Sequence, residues 1–500
     1  MRCAAHLLQY PRSRSFHELV ILVLSLTSWA DLAHAQATPL NLRMSTEMRF
    51  DPARIKGGEK LGLMSTALMF EPSYGWLLGP AVVGAATGQR GGFFVLGGQI
   101  ERRWRSTDHW QARLALLAGG GGGGGAPVGG GLLVQPSASL LYDWGGWQTG
   151  LSWSRVSMPS GRIGSQQLGV VLSWDGNFRY FESLDAGQTS REPGRTGFGM
   201  DRLMLSSAAL KVQARAGHSA SSQRLVGVRA ERRVDDNVYW GVETAAATHG
   251  GADGYMEVLG AAGWELPLSL LGLDAVHVGV RGAAGLGGGG AVETGGGTLA
   301  KAAGTVRWDW GRYGFVGVEA GAVRSGHGDY RAHYAQWQLG WQLDHPDAPG
   351  DATVAGLAWS ASLQHVLHAQ RKDGRQQALD TMGVKLQRQL GEQFYVTGQA
   401  YSAFAGQAGA YSVGLAGGGW QTTLGDKWRV AGEVIAGAAG GGGVDTQGGA
   451  VAQGMAYLGR TVGDGSQLQI GAGRIRSQHG GLNSPVIDIS WTQSFGVGQR

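Results

Sequence analysis

The most regular feature of this 500-residue chain is a two-residue alternation of apolar and polar side chains. Across residues 132–144, Leu132, Val134 and Leu140 fall on one side of an extended chain, while Gln135 and Asp143 fall on the other. Similar runs recur along the sequence, and short glycine-containing turns such as residues 145–146 separate them. A period of two indicates β-strands with one apolar face. The pattern therefore predicts an all-β protein.

An internal repeat organises these predicted strands. Three glycine-rich blocks are each followed, after 42 to 44 residues, by a tryptophan: residues 119–131 by Trp174, 287–297 by Trp341, and 440–449 by Trp491. Upstream of the blocks, residues 227–264 align without a gap on residues 383–420. A period this long means that each copy holds several elements, unlike the short repeat of a solenoid. We predict three β units over residues 45–175, 206–344 and 359–495.

Counting strands in the third unit suggests eight per unit and about 24 in all. The predicted fold is an antiparallel transmembrane β-barrel of about 24 strands built from three eight-stranded repeats. The alternative is three small eight-stranded barrels in tandem, because eight strands suffice to close a barrel whose interior is filled by side chains. We favour the single barrel, since seams between adjacent units need not differ from those within them.

The N-terminus carries the pattern of an export signal. Arg2, Arg12 and Arg14 precede a short apolar run, Leu19–Leu26, and residues 33–37 offer a small-x-small cleavage pattern. We therefore predict a signal peptide over residues 1–35. The single cysteine, Cys3, would leave with it, so the mature chain would have no disulfide.

Composition excludes several classes of protein. The 90 glycines follow no Gly-X-Y period, which excludes collagen, and 18 Trp, 13 Tyr and 12 Phe fit poorly with disorder. The formal charge of +5 is mild and spread along the chain, so a nucleic-acid partner is not expected.

Alternating strands with aromatic residues near their ends are typical of transmembrane β-barrels, in which closure satisfies every backbone hydrogen bond. The tryptophans expected at the headgroup level are Trp104, Trp110, Trp144, Trp147, Trp308, Trp310 and Trp428. The chain resembles Gram-negative outer-membrane β-barrel proteins, and its segment 486–495 (VIDISWTQSF) resembles their C-terminal assembly signal through Trp491 and Phe495. Residues 496–500 depart from that pattern, since the class usually ends at the aromatic residue. The resemblance implies the cell outer membrane as location, with its lipid and the barrel assembly machinery as partners.

Candidate chemistry is scarce. We find no motif for catalysis, cofactor binding or a metal site, and we do not expect an enzyme. Arginine recurs at a similar place in the seventh strand of each unit, as Arg155, Arg324 and Arg476. An arginine facing lipid at mid-membrane is costly, so these three are candidate lumen-lining residues or lie near an interface. The alternative for the arginines on strands is pairing with glutamates in a packed interior, with Glu101, Glu231, Glu319 and Glu433 as partners.

The glycine blocks have two interpretations. They are either flexible hairpin tips or loops that fold together at a mouth and form a gate with their backbone amides. The function predicted is an outer-membrane channel or export conduit, with polysaccharide or other polar or anionic solutes as candidate cargo. The alternative is a non-conducting outer-membrane scaffold, receptor or adhesin, and an outer-membrane hydrolase is the weakest hypothesis.

Overall fold

The computed structural model describes residues 36–106, 109–191, 194–213, 221–269, 272–311, 313–345 and 350–500. The predicted signal peptide, residues 1–35, lies outside the described residues. The described chain forms 25 strands and a single 3-10 turn, Ser183–Asp185. No helix within these ranges is long and apolar enough to cross a membrane.

Twenty-four of the strands form three antiparallel rings of eight. The first ring contains β1 Leu40–Arg54, β2 Lys60–Ser73, β3 Trp76–Thr87, β4 Phe94–Arg105, β5 Trp110–Gly122, β6 Leu132–Asp143, β7 Trp147–Ser157 and β8 Gly164–Tyr180. A two-residue strand, β9 Thr189–Ser190, follows in the connecting segment. The second ring contains β10 Arg202–Val212, β11 Ser221–Arg233, β12 Val238–His249, β13 Met256–Leu268, β14 Leu273–Gly288, β15 Thr298–Trp310, β16 Gly314–Ser325 and β17 Arg331–Gln342. The third contains β18 Ala352–Gln370, β19 Gln376–Gln389, β20 Phe394–Ala405, β21 Ser412–Leu424, β22 Trp428–Gly440, β23 Ala450–Gly463, β24 Ser466–Ser477 and β25 Asn483–Gln499.

Each ring closes on itself through its own first and last strands. Strand β1 pairs with β8, β10 pairs with β17, and β18 pairs with both β19 and β25. The prediction of eight strands in each of three units is confirmed, and so is the alternative of three small barrels. The single barrel of about 24 strands is wrong. Its premise fails because the last strand of each unit pairs with the first strand of the same unit, which leaves no open edge for the next one.

Polarity is divided between the two faces of every barrel wall. In β5, Gln111 and Arg113 point inward and are buried, while Leu114 and Leu116 point outward and are about half exposed. The outer face carries a band of exposed Leu, Val and Ile. The interior holds buried Arg, Lys, Glu, Asp, Gln and Ser together with an apolar cluster, which in the first barrel includes Leu61, Leu63 and Leu77. This is the arrangement of a transmembrane barrel, in which apolar residues face lipid and polar residues face inward.

The two ends of the barrels differ. At the end that holds the chain termini and the connections between barrels, successive strands are joined by two to four residues. At the opposite end, which holds the glycine blocks, the loops have five to nine residues. The seven tryptophans expected at the headgroup level are all exposed and lie next to the short turns: Trp104, Trp110, Trp144, Trp147, Trp308, Trp310 and Trp428.

The first and third barrels are also joined at the end that holds the termini. Phe181 and Gly496 exchange two backbone hydrogen bonds of 2.9 and 2.8 Å, and β9 pairs with the start of β18. Residues 496–499 continue β25 beyond Phe495 instead of forming a loose tail. The C-terminal extension is therefore part of the third barrel wall.

Candidate functional site between the three barrels

The three glycine blocks share one backbone conformation. A hydrogen bond closes each block at its base: Gly121 N to Gly131 O at 3.0 Å, Gly287 N to Gly297 O at 2.7 Å, and Ala439 N to Gly449 O at 2.7 Å. Many of the glycines between these bonds have positive φ, a conformation in which a Cβ is strained. The blocks are therefore ordered loops with a defined shape.

Each block receives a hairpin from the neighbouring barrel. The hairpins are residues 88–93, 250–255 and 406–411, which join the third and fourth strands of each unit. The first docks on the block of the second barrel, the second on the block of the third barrel, and the third on the block of the first barrel. We call this cyclic set of contacts the glycine ring. Head-to-tail contacts that return to the starting barrel close a ring.

Backbone hydrogen bonds and one ion pair hold the glycine ring together. Gly91 N donates to Gly295 O at 2.7 Å, and Gly409 N donates to Gly129 O at 3.0 Å. At the third seam, Lys372 Nζ lies 2.8 Å from Asp253 Oδ2. At the two hydrogen-bonded seams the glycine blocks contribute carbonyl oxygens, and block amides such as Gly121 N and Gly287 N are hydrogen-bonded within their own block.

Close backbone approach explains why these positions are glycine. Gly92 has φ of +86°, and a Cβ added there would collide with the backbone N of Gly289 in the second barrel. A Cβ on Gly440 would likewise collide with the backbone N of Gly254. Only glycine lets two main chains approach this closely.

The side chain of Arg90 fixes the first block from its own barrel. Its Nη1 donates to Gly125 O at 2.7 Å, while its Nε and Nη2 each donate to the Glu59 carboxylate at 2.7 Å. These hydrogen bonds hold the pKa of Glu59 below its usual value.

Beside the glycine ring, the three barrels line a partly open cavity of about 2140 Å³. We call it the axial cavity. All three barrels contribute to its wall, which is largely apolar and includes Val82 and Leu96, Val228 and Val258, Leu386 and Ala416. Its volume exceeds the roughly 300–1,000 Å³ of small-molecule pockets.

The interior of the first barrel is filled by a charged network. Arg113 Nη1 donates to Glu47 at 3.0 Å, and Arg103 donates to Glu101 at 2.9 Å. Arg49 pairs with Asp51 at 2.9 Å. All six side chains are buried.

The second barrel holds a similar network on different strands. Arg229 lies 2.9 Å from Glu319 and 3.0 Å from Glu243, and Arg281 approaches the same two carboxylates at 3.3 and 2.6 Å. Lys301 pairs with Glu257. The predicted pairing of strand arginines with interior glutamates is found for Glu101, Glu231 and Glu319.

The third barrel has fewer charges. Lys385 Nζ donates to Asp488 at 2.8 Å and to Tyr457 OH at 3.2 Å. The side chains of Lys385 and Asp488 are each at most 1% exposed. Glu433, expected to pair with arginine, accepts hydrogen bonds from Gln387, Gln399 and Tyr395 instead.

The candidate lumen-lining arginines require a correction. Arg155, Arg324 and Arg476 are exposed on the outer faces of β7, β16 and β24, and the residues beside them in sequence, such as Ser154 and Ile475, point inward. All three lie within two residues of the strand end beside the glycine blocks, where contact with water reduces the cost of an outward charge. The two-residue alternation along each strand decides whether a side chain faces inward or outward. The spacing from the glycine block alone did not show which face these arginines occupy.

The two residues of the predicted assembly signal lie on β25. Trp491 packs edge-on against Trp359 with ring centroids 5.1 Å apart. Phe495 is 6% exposed and packs against Phe178 of the first barrel at 5.5 Å. Their role in assembly stays a prediction.

Sequence reasoning did not identify the docking hairpins. A signal was present, because Tyr255 and Tyr411 are identical in the gapless alignment and both are buried beside their docking loops. Phe93 occupies the matching place in the first barrel and is fully buried. Among the described residues, no three His, Cys, Asp or Glu side chains are grouped so that they could hold a metal ion.

Comparison with known proteins adds little beyond class. No family model and no curated protein matches the chain. Similar solved structures include the siderophore receptor PirA from Acinetobacter baumannii, with 8% identity over 92% of this chain and 81% of that chain, at a TM-score of 0.28. A mutant of the ferric enterobactin receptor PfeA from Pseudomonas aeruginosa has 9% identity over 92% of this chain and 82% of that chain, at a TM-score of 0.28. OccK11 from Pseudomonas aeruginosa has 10% identity over 92% of this chain and 98% of that chain, at a TM-score of 0.20.

The closed antiparallel barrels of this chain confirm the β-barrel fold that the resemblance implied. TM-scores this low carry no argument about the arrangement of the barrels or about any ligand.

Proposed function

We propose that this protein is a non-conducting outer-membrane receptor or scaffold that presents three fused barrels as one unit. The observation that carries the proposal is the filled interior of each barrel. Buried ion pairs such as Arg113 with Glu47 and Lys385 with Asp488 occupy the space that a permeant would need. Eight-stranded barrels have interiors just wide enough for side chains.

Membrane location is supported by the apolar outer band and the exposed tryptophans. Outer-membrane barrels have short periplasmic turns and longer extracellular loops. The two-to-four-residue turns, the tryptophans and the termini would then face the periplasm, and the glycine ring would face outward. The glycine ring is the surface that a receptor or adhesin would present.

The other candidate is the channel or export conduit that the sequence predicted, with polysaccharide as cargo. The space that would support it among the described residues is the axial cavity, whose wall is largely apolar. Polysaccharide hydroxyl groups would lose hydrogen bonds to water there without replacement, which is costly. The scaffold or receptor is therefore the better-supported function.

Conductance in a planar bilayer tests the proposal. Folded protein, verified by heat-modifiable gel migration, is expected to give no discrete current steps, while a porin in the same bilayer does. Salt-dependent steps from the wild-type protein would overturn the proposal. Their loss in Gly414→Phe, whose side chain would enter the axial cavity, would then locate the path there.

We also propose that the barrel assembly machinery recognises β25 through Trp491 and Phe495. Phe495→Ala is expected to lower the membrane-inserted fraction. Phe178→Ala is the control, because it removes the same ring contact, together with those to Phe70, Tyr180 and Phe198, and leaves the C-terminal strand intact. An equal loss in both variants would contradict recognition and indicate a packing defect.

A further inference from the structure

The outer faces around the axial cavity resemble the inside of a bilayer more than an aqueous pocket. The second barrel contributes Val258, which is 37% exposed, and the third contributes Leu386, which is 45% exposed. Trp337, at 56% exposure, also lines the space. Apolar walls favour apolar occupants, because burying hydrocarbon surface away from water is favourable.

The rim of the cavity beside the glycine ring is cationic where the second and third barrels meet. Arg224 stands near the start of β11 and Arg476 near the end of β24, and both side chains are exposed and line the cavity. The rings of His249 and His479, one from each barrel, lie 5.8 Å apart at this seam. Within the described ranges, neither arginine has an ion-pair partner.

We propose that the axial cavity binds a phosphate-bearing lipid, with its acyl chains between the barrels and its headgroup at Arg224 and Arg476. The inference deepens the proposed function and rests on the membrane location in it. Guanidinium groups suit phosphate because they donate two parallel hydrogen bonds to its oxygens. An apolar wall below a cationic rim matches the two halves of an anionic lipid.

The volume also suits this ligand. At about 2140 Å³ the cavity is roughly twice the upper end of the range for drug-sized ligands, so it has room for more than one hydrocarbon chain. Residues of the glycine ring line one end of the space, and strands of all three barrels line its sides. A lipid bound here would be held more firmly than the lipid around the outside of the protein.

Two glycines allow a direct test of the cavity. A Cβ on Gly398 or Gly414 meets no heavy atom within 4 Å, and both residues line the cavity. Gly414→Phe therefore places a ring in the space without a clash at its Cβ. Gly454→Phe is the matched control, because Gly454 is exposed on β23 of the same barrel and lies outside the cavity.

The experiment is native mass spectrometry of the full-length mature chain from nanodiscs of phosphatidylglycerol or phosphatidylcholine. The wild-type protein is expected to retain phosphatidylglycerol preferentially after detergent washing. In Gly414→Phe the retained lipid should fall about tenfold, equivalent to 1.4 kcal/mol. Gly454→Phe should retain it as the wild type does.

A second pair of variants tests the headgroup site. The protein that carries both Arg224→Gln and Arg476→Gln should lose its preference for phosphatidylglycerol but still retain bound lipid. Inorganic phosphate alone should bind weakly and should not displace the lipid. Binding of phosphate without retention of lipid would overturn the proposal in favour of a free-anion site.

Retention that is equal in the wild-type protein, Gly414→Phe and Gly454→Phe would also overturn the proposal, because it would show lipid only at the outer surface. Failure of the proposed function looks different. A protein without heat-modifiable migration that does not enter nanodiscs contradicts the membrane location itself.

Discussion

The charged part of each barrel interior and the space between the barrels have opposite chemistry. Inside, Arg, Lys, Glu and Asp pair in closed networks with almost no exposure. Between the barrels, glycine backbones meet at one end and apolar side chains surround a cavity below them. One strand supplies residues to both regions, because its alternate side chains face the barrel interior and the outer surface.

The two regions also depend on different forces. The interiors are stabilised by charges that must all be paired, since removing one partner leaves the other buried and uncompensated. The glycine ring depends on the absence of side chains. Substitutions should therefore act by loss of a partner in one region and by addition of atoms in the other.

The largest effect is expected inside the third barrel. Lys385→Ala leaves Asp488 buried without its cation and should lower the free energy of unfolding by about 3–5 kcal/mol. Urea unfolding in detergent micelles, followed by tryptophan fluorescence, measures it. The double variant Lys385→Met, Asp488→Leu should recover much of the lost stability, because it leaves no unpaired buried charge. A loss below about 1 kcal/mol in Lys385→Ala would contradict the importance of the ion pair.

A smaller effect is expected at the glycine ring. Gly92→Ala adds a Cβ against the backbone of Gly289 and should cost about 1–3 kcal/mol beyond the strain of its positive φ. Hydrogen exchange at the Gly91 amide, which bonds to Gly295 across the seam, should accelerate.

Gly58→Ala is the control for this change. Gly58 also has positive φ, at +94°, but a Cβ there meets nothing within 4 Å, so only the backbone strain of about 1–2 kcal/mol remains. Equal costs for the two variants would mean that the seam between barrels tolerates a side chain.

The third seam offers a weaker contact. Lys372→Ala removes the ion pair with Asp253, and because the lysine is 57% exposed the loss should stay below about 1 kcal/mol. Thermal unfolding with and without added salt measures it. Lys372→Arg should behave as the wild type, and a salt-independent loss would point to a cause other than the charge.

The smallest expected effect is the contribution of Glu59 to stability, which should depend on pH. The pKa of Glu59 is held below its unfolded-state value of 4.5 by Arg90, so its contribution to stability is full above that value and is lost as pH falls through the depressed folded value. The difference in stability between the wild-type protein and Glu59→Gln should therefore shrink as pH falls below about 4.5 and through the depressed folded pKa. A difference that stays constant with pH would show that the charge has no role.

Much of the fold was present in the sequence. The two-residue period of segments such as residues 132–144 predicted strands, and the spacing from glycine block to tryptophan predicted three copies of eight. Such patterns are local, because one strand shows its inner and outer faces by itself. The tryptophans near the turns were placed correctly for the same reason.

The candidate site was less predictable. Arg476 was identified by its repeated position, and the sequence suggested either the lumen or a place near an interface. The structure puts it on the outer face, near a strand end and at the axial cavity. The partners of the glycine blocks lie on other repeats. Gly91 and Gly295 are 204 residues apart in sequence, and Gly129 and Gly409 are 280 apart. Alternation along one strand does not contain that information.

By itself the sequence determined the strands, their number in each repeat and the polarity of each face, since these follow from the order of residues along one extended chain. Only the tertiary structure decided whether the repeats share one wall or close separately, because strand pairing is a choice between edges with equivalent backbone hydrogen bonds. It also decided the purpose of the glycines. Their missing side chains matter at the one place where three barrels bring their backbones into contact.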